Sequence, residues 1–362
     1  MNKLGLLILL LALNLTAFAQ ADDADLLKQA KELHQRILSL DSHTDTPSRF
    51  TRDTTINIGT RNDKVKVDLA KMEEGMLDAV FFAVYHGQGP QTDSALLAAY
   101  LSSKDQLQNI YYQVERNSDR AVIATTLQQA LQAKKEGKRA VFIGVENAYC
   151  LGTDKLSAMK EFYDFGARYI TLCHSKNSKV CKSSGEMGED YGLTDFGKTL
   201  VDEMNRLGML VDVSHASDQA VRDVVAYSKA PVVASHSCVR ALYNHPRNLT
   251  DELIRLIADK GGVVQVAIWT GFLKSREQGK ATVANIVDHI DYIVKLVGID
   301  HVGFGSDFDG GGDIIGCEDA SGVVNITAEM LRRGYTEEDI EKFWALNFFR
   351  VLEKAEQLSA NL

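Results

Sequence analysis

Histidines and carboxylates recur in one setting in this chain, at points where an apolar run of strand length gives way to a polar segment. Four of the nine histidines lie there: His43, His174, His215 and His236. Three carboxylates share the setting: Asp45, Glu146 and Asp307. Imidazole and carboxylate groups together bind divalent transition metals, Zn²⁺ above all, with Mn²⁺ or Co²⁺ as alternatives. These residue types predict a metal centre.

The spacing suggests how the ligands divide between two ions. His43 and Asp45 are two residues apart, so on an extended strand both side chains point to one face and suit one ion. His215 and His236 would hold a second ion. Glu146 could bridge the two ions through its two oxygens. A hydroxide shared by both ions would then be the nucleophile, because each ion lowers the pKa of bound water.

Three further residues are candidates for roles other than metal ligation. Asp307 could take the proton of the nucleophilic water and pass it to a leaving amine, with Asp309 as its rival. His174 could donate to the oxygen on which negative charge develops. Arg247 could hold a substrate carboxylate in a bidentate contact, with Arg240 as its rival. From spacing alone, an ordinary surface arginine is the better interpretation of Arg247.

The remaining histidines lack this setting or precede a strand, and we expect structural or surface roles for them. They are His34, His86, His245, His289 and His301. The five cysteines are Cys150, Cys173, Cys181, Cys238 and Cys317. In an exported protein they would allow at most two internal disulfides. C-x2-C spacing is absent, so we expect cysteines that are buried or paired around one loop rather than metal ligands.

The elements that must position these residues alternate between strand-length apolar runs and longer segments of helical period. Eight strands are predicted: Ile37–Asp41, Asp78–Tyr85, Ala140–Val145, Ala167–Leu172, Met209–Ser214, Pro231–Ser235, Gly261–Ile268 and His301–Gly305. Six helices are predicted: Ser94–Arg116, Thr194–Leu207, Asp218–Tyr227, Thr250–Asp259, Val283–Val297 and Glu337–Glu356. For the second helix, Thr194 is the predicted cap and Gly208 the predicted end. Its buried face would carry Phe196, Leu200, Met204 and Leu207.

Eight strands with intervening helices fit either a closed barrel or an open, doubly wound sheet. The chemistry favours the barrel, because it would gather the ionisable groups of six strand ends around one cavity. No linker-like stretch interrupts the pattern, so residues 20–362 are predicted to form one α/β domain, a (β/α)8 TIM barrel of the metal-dependent hydrolase type. The polar segments Thr46–Lys66 and Ser175–Tyr191 are too long for turns and are candidate walls of an active site.

Residues 1–19 have the pattern of a signal peptide, with Lys3, the apolar run Leu4–Leu13 and a small-x-small site at Ala17-Phe18-Ala19. We therefore expect export, to the periplasm or out of the cell, without a stable membrane anchor. An uncleaved anchor is the alternative, although the apolar run is shorter than the roughly 20 residues of a membrane span. The net charge of −9, without a Lys/Arg cluster, predicts no nucleic-acid partner.

Several segments together resemble one known family. They are Asp41-Ser42-His43-Thr44-Asp45, Gly144-Val145-Glu146, Thr171-Leu172-Cys173-His174, the run from Gly192 to His215, Pro231 to Ser237, Arg247-Asn248 and Val302 to Gly310. This combination is similar to the membrane dipeptidase (renal dipeptidase) family of metallopeptidases, family M19. The resemblance implies a binuclear zinc barrel that hydrolyses dipeptides with a free C-terminal carboxylate, L,L and also L,D. It further implies substrate contacts by His174, Arg247 and Asp307, and a homodimer as a partner to test for.

Two stretches depart from the family pattern. Asn147-Ala148-Tyr149-Cys150 replaces small residues and a histidine, and Ser175 to Cys181 replaces a short asparagine-rich stretch. Both would border the cleft, so they leave the side-chain preference open. The rival activity is hydrolysis of another amide or ester, such as an N-acyl amino acid or a lactone, since the same metal pair activates water for any polarised carbonyl. A non-catalytic binding protein would have lost a ligand or Asp307, and none is lost.

Overall fold

The structure, a computed structural model, describes residues 23–189 and 191–360, so the predicted signal peptide lies outside the described residues. Within them, nine parallel strands form one sheet: β1 (Leu40–Thr44), β2 (Ala79–Tyr85), β3 (Ala121–Ile123), β4 (Arg139–Glu146), β5 (Ala167–Thr171), β6 (Leu210–Asp212), β7 (Val233–Ser237), β8 (Val263–Val266) and β9 (Val302–Phe304). Eight of them follow the order β1-β2-β4-β5-β6-β7-β8-β9. These eight are the predicted strands.

Main-chain hydrogen bonds join the first and last strands of this order at their carboxyl ends. The amide of Asp307 donates to the carbonyl of His43 over 3.1 Å, and the amide of Asp45 donates to that of Phe308 over 2.8 Å. Thr44 and Phe308 form a parallel bridge. The sheet is therefore a barrel, which confirms the predicted (β/α)8 fold and excludes the open, doubly wound alternative.

Two predicted strands both begin and end too early. The strand predicted as Ile37–Asp41 is β1 at Leu40–Thr44, and the one predicted as Pro231–Ser235 is β7 at Val233–Ser237. His43 and His236 therefore lie within strands rather than after them. The polar residues continue the ladder because the barrel interior supplies hydrogen bonds. Ser42 Oγ, for example, donates to the carbonyls of Ser235 and Phe304 over 2.9 and 3.0 Å.

β3 was not predicted, because it has only three residues and the side chain of Val122 is exposed. It lies outside the order of the eight barrel strands. β3 pairs with the first residues of β4, and β5 takes over that edge of β4 from Ile143 onward.

Helices cover the outside of the barrel. They are α1 (residues 23–36), α2 (Thr46–Arg52), α3 (Leu69–Glu74), α4 (Asp93–Glu115), α5 (Leu127–Lys135), α6 (Lys155–Asp164), α7 (Asp195–Leu207), α8 (Asp218–Tyr227), α9 (Asp251–Asp259), α10 (Thr270–Leu273), α11 (Val283–Val297), α12 (Val324–Arg332), α13 (Glu337–Glu341) and α14 (Asn347–Ser359). The predicted caps of α7 are confirmed, since Thr194 accepts from the amide of Gly197 and Gly208 is left-handed. Phe196 is 39% exposed, against prediction, because Gly197 takes the inward position of that turn.

The last predicted helix, Glu337–Glu356, is interrupted. A π-helical turn, Lys342–Leu346, separates α13 from α14. Below the interruption, Phe348 and Phe349 of α14 pack on aromatic side chains of the barrel interior, with ring centroids 5.1 Å from Phe81 and 5.4 Å from Phe142 respectively. The amino end of the barrel is thus closed by apolar packing, and its open end is the carboxyl end, where the predicted site residues lie.

Candidate active site

Glu146 is the centre of the site, and strand alternation explains its direction. Ala140, Phe142, Gly144 and Glu146 alternate along β4 and share its inward face. Phe142 belongs to the apolar floor of the barrel, so Glu146 points into the mouth above it. The carboxylate is buried, with 2% of the residue exposed.

Four histidines surround the Glu146 carboxylate, and three of them are the predicted metal ligands. His43 Nε2 lies 3.7 Å from Oε2. On the other oxygen, Oε1, His215 Nε2 lies at 3.0 Å and His236 Nε2 at 3.5 Å, and these two nitrogens are 3.0 Å apart. His43 thus lies on the Oε2 side of the carboxylate, and His215 and His236 lie on the Oε1 side.

The donor atoms of this cluster fit a divalent metal. One ligand atom each from His43, Asp45 and Glu146 lies within 4.8 Å of the others, and the same holds for Glu146, His174 and His215 and for His43, His236 and Asp307. His43 Nε2 and Asp45 Oδ1 are buried without a hydrogen-bond partner among the described residues. Buried polar atoms without a partner cost free energy, and a cation would relieve this cost.

Neighbouring hydroxyls fix the orientation of two histidines. His43 Nδ1 lies 2.8 Å from the hydroxyl of Tyr169, and His236 Nδ1 lies 2.8 Å from Ser235 Oγ. Ser235 Oγ in turn donates to Asp212 over 2.6 Å. If each Nδ1 carries the proton, each Nε2 presents a lone pair toward Glu146, which is the tautomer that a metal ligand needs.

Two buried aspartates brace the strand ends from which the ligands project. Asp41 Oδ1 accepts the amides of His43 and Ser306 over 3.1 and 2.9 Å. Asp212 Oδ1 accepts those of Ser214 and Ser235 over 3.0 and 2.9 Å. Neither aspartate was predicted from the sequence to have a role. The repeated pattern of Asp two or three residues before a ligand histidine was the available signal.

Asp307 lies in the same mouth, directly after β9, with a left-handed φ of 62°. Burial raises the pKa of this carboxyl to about 7, with Glu146 adding to the effect and His43 opposing it. A carboxyl group that titrates near neutral pH is suited to accept and return a proton. Its rival Asp309 is occupied elsewhere, because it accepts from Thr46 Oγ1 at 2.7 Å and from the amide of Lys66 at 3.0 Å.

A cavity of about 410 Å³ opens above the cluster. Its lining residues are Asp45, Glu146, His174, Ser175, Gly185, His215, His245, Arg247, Trp269, Phe272, Asp307 and Gly310. His174 Nε2 lies 3.7 Å from Glu146 Oε1, and burial lowers the pKa of His174, which favours the neutral ring. The predicted wall Ser175–Tyr191 contributes to this lining. The predicted wall Thr46–Lys66 does not, because it folds into α2 and braces Asp309.

The guanidinium of Arg247 lines the cavity and packs over the ring of Phe272, 5.2 Å from its centroid. It donates to the carbonyl of His236 over 3.2 Å, and its Nε is buried without a hydrogen-bond partner among the described residues. Its rival Arg240 instead forms a bidentate pair with Asp218, at 2.6 and 2.7 Å. Within residues 23–189 and 191–360, therefore, the cavity has an arginine with free donor capacity.

Of the five histidines expected to have structural or surface roles, three follow that expectation and one lies in the cavity wall. His34 and His289 are buried in the core and bonded there, and His301 Nδ1 lies 2.9 Å from the carbonyl of Gly262. His245 instead lines the cavity and packs on Phe272 at 4.9 Å. Trp269 and Phe272, at the start of and within α10, complete this aromatic wall, which was not predicted because His245 is distant from them in sequence.

All five cysteines are buried thiols, and none belongs to a candidate metal group in the described residues. No helix of residues 23–189 or 191–360 combines the length and apolar character that a membrane crossing requires.

A parallel (β/α)8 barrel with histidines and carboxylates gathered around a cavity at its carboxyl end is the architecture of a metal-dependent hydrolase. The chain belongs to the membrane dipeptidase family, peptidase family M19, whose family model matches residues 27–362. It is a metallo-dipeptidase, and the predicted family is confirmed.

Among curated relatives, the dipeptidase tcpJ of Claviceps purpurea (strain 20.1) is 35% identical over 301 residues, covering 82% of this chain and 70% of that protein. The dipeptidase verJ of Clonostachys rogersoniana is 31% identical, covering 93% and 89%. Among solved structures, the probable dipeptidase PvdM from Pseudomonas aeruginosa is similar with a TM-score of 0.86 and 30% identity, covering 92% and 99%. A metallo peptidase from Rhodobacter sphaeroides, liganded with a phosphinate mimic of L-Ala-D-Ala, has a TM-score of 0.80 and 26% identity, covering 88% and 99%.

Proposed function

We propose that this enzyme is an exported, binuclear zinc dipeptidase that hydrolyses dipeptides with a free C-terminal carboxylate, of L,L and L,D configuration. The observation that carries the proposal is the position of Arg247, whose guanidinium lines the same cavity as the Glu146 cluster. A cationic donor at a fixed place beside the cluster suits a substrate whose carboxylate is close to its scissile bond, as it is in a dipeptide.

Two ions are supported by the arrangement around Glu146. His43 and Asp45 would hold one ion, His215 and His236 the other, and Glu146 would bridge them. When bound, such ions polarise the scissile carbonyl and lower the pKa of a water molecule. Zinc suits this mixture of imidazole and carboxylate ligands, although Mn²⁺ or Co²⁺ would fit as well.

The residues of the chain itself would bind the substrate and move its proton. Arg247 would hold the carboxylate, and its distance from Glu146 would then select the length of the peptide. Asp307 would accept the proton of the attacking water and return it to the leaving amine, a transfer that its raised pKa favours. His174, as a neutral ring, would donate through its protonated nitrogen to the carbonyl oxygen as negative charge develops there.

The L,D activity rests on the Rhodobacter sphaeroides peptidase, which is liganded with a mimic of L-Ala-D-Ala. Its fold and length are similar to those of this chain. We therefore propose that Gly-D-Ala and L-Ala-D-Ala are substrates together with their L,L counterparts.

One panel tests the activity. Purified, zinc-reconstituted enzyme is assayed on Gly-L-Ala, Gly-D-Ala and N-acetyl-D-Ala, with and without a chelator. We expect hydrolysis of both dipeptides, none of the acylated compound, and loss of activity with chelator. If only N-acetyl-D-Ala were hydrolysed, the dipeptidase proposal would be wrong and the enzyme would be a hydrolase of N-acyl amino acids. Metal analysis of the same sample should give close to two zinc ions per chain.

Export and assembly need separate measurements. We expect the full chain to be recovered outside the cytoplasm with its amino terminus after Ala19, as the signal-peptide pattern predicts. Recovery of an uncleaved chain in the membrane fraction would favour the anchor. Light scattering of the purified enzyme tests for a homodimer.

A further inference from the structure

The five buried thiols have different surroundings. Three of them contact only main-chain carbonyls or other groups without a thiol: Cys150, Cys238 and Cys317. Cys173 and Cys181 are neighbours, close enough for the two thiols to interact. Each is fully buried, at 0% exposure. One thiol pair therefore lies within the core, directly beside the active site.

The backbone holds this pair together independently of the thiols. Cys173 Sγ lies 3.9 Å from the carbonyl of Lys182, the residue that follows Cys181, and 3.6 Å from that of His215. Cys181 is bridged to Leu193, which lies two residues before α7. The chain thus leaves Cys173, forms a loop and returns beside it at Lys182, so that the two cysteines are neighbours in the fold.

This loop contains His174. Ser183 Oγ donates to the carbonyl of His174, and His174 Nδ1 lies 3.0 Å from Ser175 Oγ. The later residues of the loop are fixed by hydrogen bonds of their own: the amide of Asn177 donates to Glu186 over 2.8 Å, and Ser178 Oγ accepts from the amide of Val180 over 3.1 Å. A covalent link between the two cysteines would close a ring of nine residues, 173–181, with His174 directly beside the junction.

We propose that Cys173 and Cys181 form a disulfide when the chain folds in an oxidising compartment, and that this ring holds His174 in position. The oxidant is a small-molecule or protein disulfide. One cysteine thiolate attacks it and releases a thiol, and the second cysteine displaces the other half as a second thiol. Two S–H bonds are lost and one S–S bond forms, while the oxidant takes up two electrons and two protons. Because the folded pair is buried, the reaction belongs to folding, and the finished link resists reductants.

Thiol counting tests the link without reference to activity. Enzyme recovered from an oxidising compartment is denatured and its free thiols are alkylated with N-ethylmaleimide. One sample is alkylated without reduction and a second after reduction. We expect three adducts per chain before reduction and five after, since three of the five cysteines lie outside the pair. Trypsin should release the segment 169–176, which carries Cys173, bonded to the segment 180–182, which carries Cys181. Five adducts before reduction, or a different bonded pair, would overturn the proposal.

Variants test the role of the ring. We expect Cys181→Ala to lower kcat on the order of tenfold, because a displaced His174 loses alignment with the reacting carbonyl. KM and zinc content should change less than kcat, since Arg247, His43 and Glu146 lie on other elements. Cys317→Ala, which removes a buried thiol far from the loop, is the matched control and should keep wild-type kcat.

Wild-type enzyme reduced in mild denaturant and refolded under reducing conditions should behave like Cys181→Ala. This measurement keeps the test open if the variant folds poorly. Equal kcat for the oxidised and reduced wild-type enzymes would refute the positioning role. If the untreated enzyme also hydrolysed no dipeptide, the dipeptidase proposal would have failed. The thiol count would still test the disulfide, because it does not depend on activity.

Discussion

At the residue scale, strained backbone marks the site. His215 and Asp307 have φ values of 68° and 62°, and Asn147, directly after Glu146, has 77°. Residues other than glycine rarely adopt this region, and each instance costs on the order of 1–3 kcal/mol. Around Asp307 the cost is offset by three amides, those of Gly310, Gly311 and Gly312, which donate to its carbonyl over 2.7 to 3.2 Å. The backbone therefore holds these side chains where relaxed geometry would not place them.

The division between ligands and proton carrier predicts two different losses. We expect His215→Ala to lose zinc and activity together, because a ligand is missing. Asp307→Asn should keep its zinc while kcat falls at least ~10²-fold, the usual contribution of a general acid or base. Zinc analysis and steady-state kinetics on the two proteins measure this contrast.

Asp309→Asn is the matched control for Asp307→Asn, because its carboxylate faces Thr46 and Lys66 rather than the cavity. Its kcat should stay close to that of the wild type. If Asp307→Asn kept wild-type kcat and Asp309→Asn lost it, the two aspartates would have to exchange roles.

Arg247 should act through the charge of the substrate carboxylate. For Arg247→Ala we expect kcat/KM for Gly-D-Ala to fall on the order of 10²-fold, the loss of a charge-assisted contact of about 3 kcal/mol. For the corresponding dipeptide amide the loss should be much smaller. The measurement is the ratio of the two losses, with Arg240→Ala as the control. Equal losses on acid and amide would exclude a carboxylate contact.

The aromatic wall should act on the side chain next to that carboxylate, because Phe272 packs directly beneath the Arg247 guanidinium. We expect Phe272→Ala to lower kcat/KM for Gly-D-Phe roughly tenfold more than for Gly-D-Ala, since burial of an aromatic side chain contributes about 1.5–3 kcal/mol. Parallel kinetics on the two substrates provide the comparison. An identical loss on both would mean that the substrate side chain points away from this wall.

At the element scale, features that recur in each strand could be predicted from the sequence. Features that arise only where several elements meet could not. The eight barrel strands were predicted because each is an apolar run. The ligand set was predicted because histidines and carboxylates recur at the ends of these strands. The orienting partner Tyr169 was missed, since a tyrosine within a buried strand looks like core. The wall formed by His245 and Trp269 was missed because the two residues are distant in sequence and meet only in the fold.

Tyr169 depends on a neighbouring strand for its place. A Cβ added at Gly144 of β4 would lie 2.1 Å from Cζ of the Tyr169 ring. Gly144→Ala should therefore displace the ring, remove its hydroxyl from His43 and weaken zinc binding. We expect a loss of affinity of about 10- to 100-fold, the usual effect of removing an outer partner of a ligand histidine. Competition against a zinc chelator measures it.

Tyr169→Phe is the matched control for this change, because it removes the hydroxyl and leaves the ring and the backbone in place. It should weaken zinc binding in the same direction while the melting temperature stays near that of the wild type. Unchanged zinc affinity in Tyr169→Phe would show that the hydroxyl does not orient His43.

At the scale of the whole molecule, two buried histidines should make folding sensitive to acid. Burial lowers the pKa of His34 and of His289 from 6.5 to about 4. The unfolded chain then binds more protons than the folded chain between these pH values. The stability that both groups contribute is therefore complete above about pH 6.5 and is lost as the pH falls toward 4.

His289 offers the cleaner test, because protonation of its Nδ1 would break the bond that it accepts from the amide of Val239, at 3.0 Å. Between pH 7 and pH 5 its proton uptake should remove about 2 kcal/mol from the free energy of unfolding. Urea denaturation of metal-free enzyme at both pH values gives the wild-type change, which includes every other titrating group. In His289→Gln the change in the free energy of unfolding should be smaller by that amount. The ligand histidines are present in both proteins, so their contribution cancels when the two changes are subtracted. An equal change in both proteins would mean that the pKa of His289 is the same in the folded and the unfolded chain, so that the acid sensitivity would have to come from His34 or from groups around the metal site.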